Sequence, residues 1–261
     1  MTYVLVHGGG FGSSAWERLL PFLPGRVLAV DLPGRGVRAD VDLAGVTTQT
    51  CAEAVVADMV AEDVQDAVLV GHSLAGVTVP RIMALAPERL RAAVLVSAIV
   101  PRHGEPVMTT MDPATRAAVE PALTSGVYSP GAGAGLEMLC NDLDADQVEF
   151  VVQSRTNDSA RLLSEPADLS GLTAPVPRWY VHLTLDQRVP PALQDACNVH
   201  WGGRRVTLDT GHMAMVADPR GLAEILEAIR RDPRADPSLR AGTSGSALPG
   251  RTGGRRAGGR A

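Results

Sequence analysis

The chain contains no lysine; all 24 of its Lys+Arg side chains are arginine. Chemistry that needs a lysine amine is therefore excluded, including a pyridoxal Schiff base, a Walker A lysine and the Tyr-Lys pair of short-chain dehydrogenases. Cysteine is scarce. Cys51, Cys140 and Cys197 lie far apart without metal-ligand spacing, and such an odd, sparse set fits a reducing cytoplasm better than a disulfide framework. No stretch of 18 apolar residues occurs, so no membrane span is expected. The first residues lack a basic segment and a long apolar run, so no secretory signal is expected either.

What remains is ordinary globular material: 45% hydrophobic and 20% charged over 261 residues, enough for one large core. The formal net charge of −5 argues against a nucleic-acid partner. That charge is unevenly spread. From Pro233 to Ala261 there are six arginines against one aspartate, Asp236, which leaves −10 on residues 1–232. The end of the chain is built of Gly, Arg, Ser, Pro and Ala and has too little apolar surface to offset its ordering entropy. The expected organisation is one domain over 1–231 and a disordered Gly/Arg-rich tail over 232–261.

Within the domain, short Val- and Leu-rich runs alternate with helical stretches. The runs are Tyr3–Val6, Val27–Val30, Ala67–Val70, Ala93–Val96, Trp179–Val181 and Val206–Leu208. They are too short for helices and nearly continuous, as strands covered on both faces read. Residues 49–64 place Ala52, Val55, Val56, Met59, Val60 and Val64 at helical spacing, and 219–230 do the same with Leu222, Ile225, Leu226 and Ile229. The alternation predicts a doubly wound, mostly parallel sheet. It breaks between about 101 and 175, where the one clear helix signal is Asp144 as N-cap ahead of Val148, Val151 and Val152. Inserted after the fourth predicted strand, this segment is expected to cap the carboxyl edge of the sheet.

Two glycine-rich turns carry the chemistry. After the first strand, Gly10-Phe11-Gly12-Ser13-Ser14-Ala15 fits a dinucleotide fingerprint, with Asp31 placed as a ribose-binding acid. The same segment read as His7-Gly8-Gly9-Gly10 is an oxyanion loop whose bare amides face a developing negative charge. The second turn decides between them. Val68-Leu69-Val70-Gly71-His72-Ser73-Leu74-Ala75-Gly76 runs a strand into a serine and then a helix from Val77 to Ala86, with small residues two either side of the serine. That is the pattern of a nucleophile elbow. A nucleophilic serine needs a base and the base an orienting acid, in the chain order Ser, acid, His. Asp186 closes the run from Trp179, and His212 follows the run from Val206. Asp209, three residues before His212, competes with Asp186. His7 and His72 read as structural residues of the turns and His182 as a core histidine, while His103 and His200 have no motif context. Cys140 has neither a base nor a tight turn beside it.

Together these residues resemble the α/β-hydrolase superfamily over about 3–231. Within it they resemble the small-ester branch of plant methyl ester esterases, hydroxynitrile lyases and their bacterial relatives. The resemblance rests on His7-Gly8-Gly9, Gly71-His72-Ser73-Leu74, Leu185-Asp186 with Val189-Pro190-Pro191, and Gly211-His212-Met213-Ala214-Met215. It implies an α/β-hydrolase fold with Ser73 as nucleophile, His212 as base and Asp186 as orienting acid. It also implies the Gly9 and Leu74 amides as oxyanion hole, with no cofactor and no metal. In the lyases a lysine follows the histidine and a threonine follows the first-loop histidine; here Met213 and Gly8 stand there, which points to an esterase. The expected activity is hydrolysis of a small carboxylic ester by a cytoplasmic, bacterial enzyme without nucleic-acid or membrane partners. A non-hydrolytic member of the fold (lyase, cyclase or ligand receptor) is the alternative.

Overall fold

The computed structural model describes residues 1–129 and 133–235. In chain order its strands are β1 (Thr2–Val6), β2 (Arg26–Val30), β3 (Ala67–His72), β4 (Leu90–Val96), β5 (Val127–Tyr128), β6 (Asp158–Ser159), β7 (Arg178–Leu183) and β8 (Arg204–Leu208). Its helices are α1 (Thr48–Ala61), α2 (Thr78–Leu85), α3 (Pro113–Ser125), α4 (Ala134–Leu139), α5 (Ala145–Gln153), α6 (Arg161–Ser164), α7 (Pro191–Trp201), α8 (Ala214–Ala217) and α9 (Pro219–Arg231). Six strands form one sheet in the order β2-β1-β3-β4-β7-β8, and every pairing within it is parallel.

All six runs read as strands belong to this sheet. Successive side chains of each strand face opposite cores. Val4, Leu69, Leu95 and Tyr180 meet α1, α2 and α7 on one face. Tyr3, Val68, Val94 and Val181 meet α9 and Trp16 on the other. The inner strands β1 and β3 are buried along their whole length, whereas the edge strands β2 and β8 expose their first residues. Burial along the whole strand is therefore a property of the sheet centre.

Helix α1 starts from a capping box between Thr47 and Thr50 and packs Cys51, Ala52, Val55 and Met59 against the sheet. Val60, read as part of that face, is 53% exposed, because a helix on a sheet buries only a narrow stripe. In the 101–175 segment, α5 does start at Asp144, capped by a box with Gln147. Val151 is buried there and Val152 exposed. The described residues of the segment also form α3, α4 and α6, 3₁₀ turns at Val107–Thr110 and Ser170–Thr173, and the short antiparallel pair β5–β6. Helix α3, which was not anticipated from the sequence, starts from Asp112 as N-cap followed by Pro113 at the first helical position. At the other end, packing continues past Arg231: Pro233–Ala235 form a 3₁₀ turn whose Ala235 is buried against α9's core. The expected disordered tail lies outside the described residues from 236 onward.

Candidate active site

The strand order places the site. The chain leaves β1 for β2 on one side and returns with β3 on the other, and such a reversal opens a crevice at the carboxyl ends of the two strands. Gly8 and Gly9 follow β1 and Ser73 follows β3, so both glycine-rich turns meet at this point. Asp186 and His212 follow β7 and β8 on the same edge. Close packing makes the meeting possible. A Cβ on Gly8 would stand 2.9 Å from Ser73 Cβ, and one on Gly71 would stand 2.5 Å from the Val79 side chain.

Ser73 has φ +52°, a left-handed conformation costly for a residue with a Cβ. The bend turns its hydroxyl out of the strand direction toward His212, whose Nε2 lies 2.9 Å from Ser73 Oγ. The other ring nitrogen, Nδ1, lies 2.7 Å from Asp186 Oδ2. His212 and Asp186 are both 2% exposed, so the pair is buried. Asp186 accepts three further hydrogen bonds, from Ser97 Oγ at 2.6 Å and from the amides of Arg188 and Val189 at 2.7 and 2.8 Å. Burial pushes its carboxyl pKa up. The His212 ring, Ser97 and the Val189 amide outweigh this and hold it below the usual carboxylate value. An acceptor-only carboxylate fixes Nδ1–H on the imidazole and leaves Nε2 free to take the serine proton.

The other expected site residues also converge. Leu74 occupies the second position of the turn opening at Ser73, where a backbone N–H has no intrahelical acceptor. Gly9 packs on it, its missing Cβ only 2.9 Å from the Leu74 side chain. The first loop is pinned from outside: Gly10 N donates to Asp158 Oδ2 at 2.7 Å, and Thr156 N donates to the Gly10 carbonyl at 2.9 Å. Asp158 is buried on β6 and paired with the guanidinium of Arg35, itself buried. The inserted segment thus builds part of the floor under the Gly8–Gly10 loop. A second tie runs to the acid and base loops. Asn141 Nδ2 donates to the Leu185 carbonyl at 2.9 Å, and Gly211 N donates to Asp142 Oδ2 at 2.5 Å.

Neither Ser97 nor the Arg35–Asp158 pair was singled out from the sequence; the hydrogen bonds span 89 and 123 residues, and none of Ser97, Arg35 and Asp158 lies in a motif. The competing candidates are accounted for otherwise. Asp209 accepts from Thr184 Oγ1 at 2.8 Å. Asp31 is occupied by the amides of Ser13 and Val37 at 2.7 and 3.1 Å. His7 Nδ1–H donates to the Gly8 carbonyl at 2.9 Å and Nε2 accepts from Leu32 N at 3.2 Å. Burial and the Arg35 charge push its pKa down to about 4. His72 donates from Nε2 to the His212 carbonyl at 3.0 Å, and burial next to His212 lowers its pKa to about 3. His182 is buried in β7 with Nε2 3.2 Å from the Pro191 carbonyl. His103 and His200 bond the backbone at Leu169 and Val100. Cys140 is half-buried, and burial pushes its thiol pKa up.

Above Ser73 lies a cavity of about 620 Å³, lined by Phe11, Leu74, Met111, Val119, Met138 and Leu163 among others, with His212 at its floor. Among the described residues no cluster of three His, Cys, Asp or Glu could hold a metal, and no helix is long and apolar enough to cross a membrane.

A sequence model described as the alpha/beta hydrolase family matches residues 3–225. The carbendazim hydrolyzing esterase of Nocardioides sp. (strain SG-4G) is 26% identical over 87% of this chain and 99% of its own length. Methylesterase 3 of Arabidopsis thaliana is 33% identical over 38% of this chain and 39% of its own length. An extracellular alpha/beta-hydrolase from a Paenibacillus species superposes with a TM-score of 0.80 at 22% identity, covering 89% of this chain and 100% of that one; it is described as sharing structural and functional homology with tobacco salicylic acid binding protein 2.

Proposed function

The chain belongs to the alpha/beta hydrolase family, and we propose that it is a cofactor-independent serine esterase acting on small carboxylic esters. The observation that carries this reading is the unbroken relay from Ser73 Oγ through the His212 ring to Asp186, opening into an apolar cavity. The esterase names of the relatives point the same way.

The reaction follows from the positions. His212 Nε2 takes the hydroxyl proton as Ser73 Oγ attacks the ester carbonyl, and Asp186 stabilises the imidazolium that forms. The tetrahedral oxyanion rests on the Gly9 and Leu74 amides. His212 then gives its proton to the leaving alcohol, and the acyl-Ser73 intermediate remains. Water activated by the same imidazole releases the acid. Two positions favour this reading over cyanohydrin cleavage. Met213 is buried in the core, where a lysine ammonium would be unsolvated, and a side chain at position 8 would collide with Ser73.

The test is hydrolysis of p-nitrophenyl acetate and butyrate by the protein and by Ser73→Ala. Loss on the order of 10⁴–10⁶ in kcat, with the fold intact, is expected. Retained turnover in the variant would overturn the mechanism. No turnover in either protein, together with no labelling by a fluorophosphonate, would favour a lyase, cyclase or receptor on the same scaffold.

A further inference from the structure

Three charged residues line the cavity: Asp112, Arg155 and Arg188. The one acid among them is already committed. Asp112 caps α3, with Oδ1 accepting from the amides of Ala114 and Thr115 at 3.0 Å each and Oδ2 accepting from Thr115 Oγ1 at 2.6 Å. Arg188 stands in contrast. Its main chain is fixed by the amide bond to Asp186, two residues back, and the residue is half-buried. Yet among the described residues its guanidinium meets no carboxylate, carbonyl or aromatic face. The comparably covered or more buried arginines Arg35, Arg38, Arg81 and Arg91 each reach an aspartate.

An unpaired guanidinium half-withdrawn from water sacrifices solvation without compensation. The Arg188 guanidinium also adds a positive charge to the lining of this cavity, on a protein whose formal net charge is −5. Both costs are relieved when an anion enters. A carboxylate suits the planar fork of arginine best, because it accepts two parallel charge-assisted hydrogen bonds.

From this we infer that the substrates this site prefers are esters bearing a second, anionic group, a carboxylate, which Arg188 binds while Ser73 attacks the ester carbonyl. The half-esters of dicarboxylic acids are the simplest members of the class. The inference rests on the esterase reading above and adds the substrate's charge to it. Binding the charge at a fixed point also orients the ester over the nucleophile, so the gain falls on kcat/KM rather than on affinity alone.

The test compares monomethyl glutarate, adipate and suberate with the methyl esters in which a terminal methyl replaces the carboxylate, each followed by acid release. Kinetics are run on the protein and on Arg188→Gln. For at least one chain length the charged ester is expected to be favoured about tenfold or more in kcat/KM, as one charge-assisted contact allows. Arg188→Gln should bring that ratio near one. Because the ratio cancels any common loss in kcat, damage to the Asp186 loop cannot imitate the result. Raising the salt concentration should erode the preference in the unmodified protein as well. Hydrolysis of the neutral esters at every length without preference for the charged ones would overturn the inference and leave the esterase reading standing. A preference untouched by Arg188→Gln would also overturn it. Failure to hydrolyse any ester, charged or neutral, would count against the esterase reading itself.

Discussion

The ring of His72 holds the backbone of His212: Nε2 of the residue before Ser73 donates to the carbonyl oxygen of His212 at 3.0 Å. The two imidazoles lie with centroids 4.6 Å apart. The elbow and the base loop, 140 residues apart in the chain, are therefore tied to each other as well as through the serine hydroxyl.

This tie has a pH signature. His72 and His7 are held neutral in the folded protein, with pKa values pushed from 6.5 to about 3 and about 4. Unfolded, both take a proton below about pH 6.5. Their contribution to stability is complete above that value and is lost as pH falls toward the folded ones. Each histidine costs about 1.4 kcal/mol per pH unit within this window. Asp186, whose folded pKa is depressed, adds to the same acid loss at lower pH. Chemical denaturation at neutral pH and again near about pH 5 should show the fall. His72→Gln should remove about half of its slope; an unchanged slope would refute the assignment.

Ser97 is expected to matter out of proportion to its place outside the motifs. Its hydroxyl gives Asp186 Oδ2 a hydrogen bond of 2.6 Å on the same oxygen that receives His212, and its own backbone is left-handed at φ +39°. Ser97→Ala should lower kcat/KM by roughly tenfold, the worth of one hydrogen bond to a charged group. Ser97→Thr should recover part of the loss, and kinetics on p-nitrophenyl butyrate would decide.

The Arg35–Asp158 pair separates stability from activity. Asp158→Asn leaves Arg35 buried without its counter-charge and should cost about 3–5 kcal/mol. Replacing both, as Arg35→Met with Asp158→Leu, should restore much of that stability. It should not restore kcat, because Gly10 N would still lack its acceptor and the Gly8–Gly10 loop its anchor. Denaturation and kinetics on the same three proteins would test both halves.

Gly211 tests the second tie. A methyl group there would come within 2.8 Å of Asn141 Oδ1 and press on Asp142 as well. Gly211→Ala should displace His212 and reduce kcat by about a hundredfold while leaving circular dichroism unchanged, since small misplacements of a base are costly. Normal turnover would show that the Asn141–Asp142 contacts are incidental.

How much of this was legible in the chain follows from the range of each interaction. The inner strands could be read because burial on both faces demands unbroken apolar runs, and the edge strands β2 and β8 from half-buried ones. Ser73, Asp186 and His212 could be proposed because each stands at a strand end in a fixed order. Ser73 announced itself through Gly71 and Ala75, which local sterics require. Asp158, Arg35 and Ser97 carry no local requirement. An aspartate on a two-residue strand looks like any other until folding brings Gly10 beside it. The inserted segment was opaque for the same reason: α3 and α4 lie over a cavity rather than on a sheet, and only Val119 of α3 is fully buried.

Asn141 and Asp142 belong to the cap in sequence but to the loops of Asp186 and His212 in their bonding. Lifting that part of the cap from the sheet would break the contacts that steady Leu185 and Gly211, and the acid and base would lose their alignment at the same moment as the cavity opened to water. An opened molecule is thereby a disarmed one. Exchange of cap segments between relatives, for the purpose of altering substrate range, should accordingly keep these two residues with the hydrolase body and place the junctions beyond them.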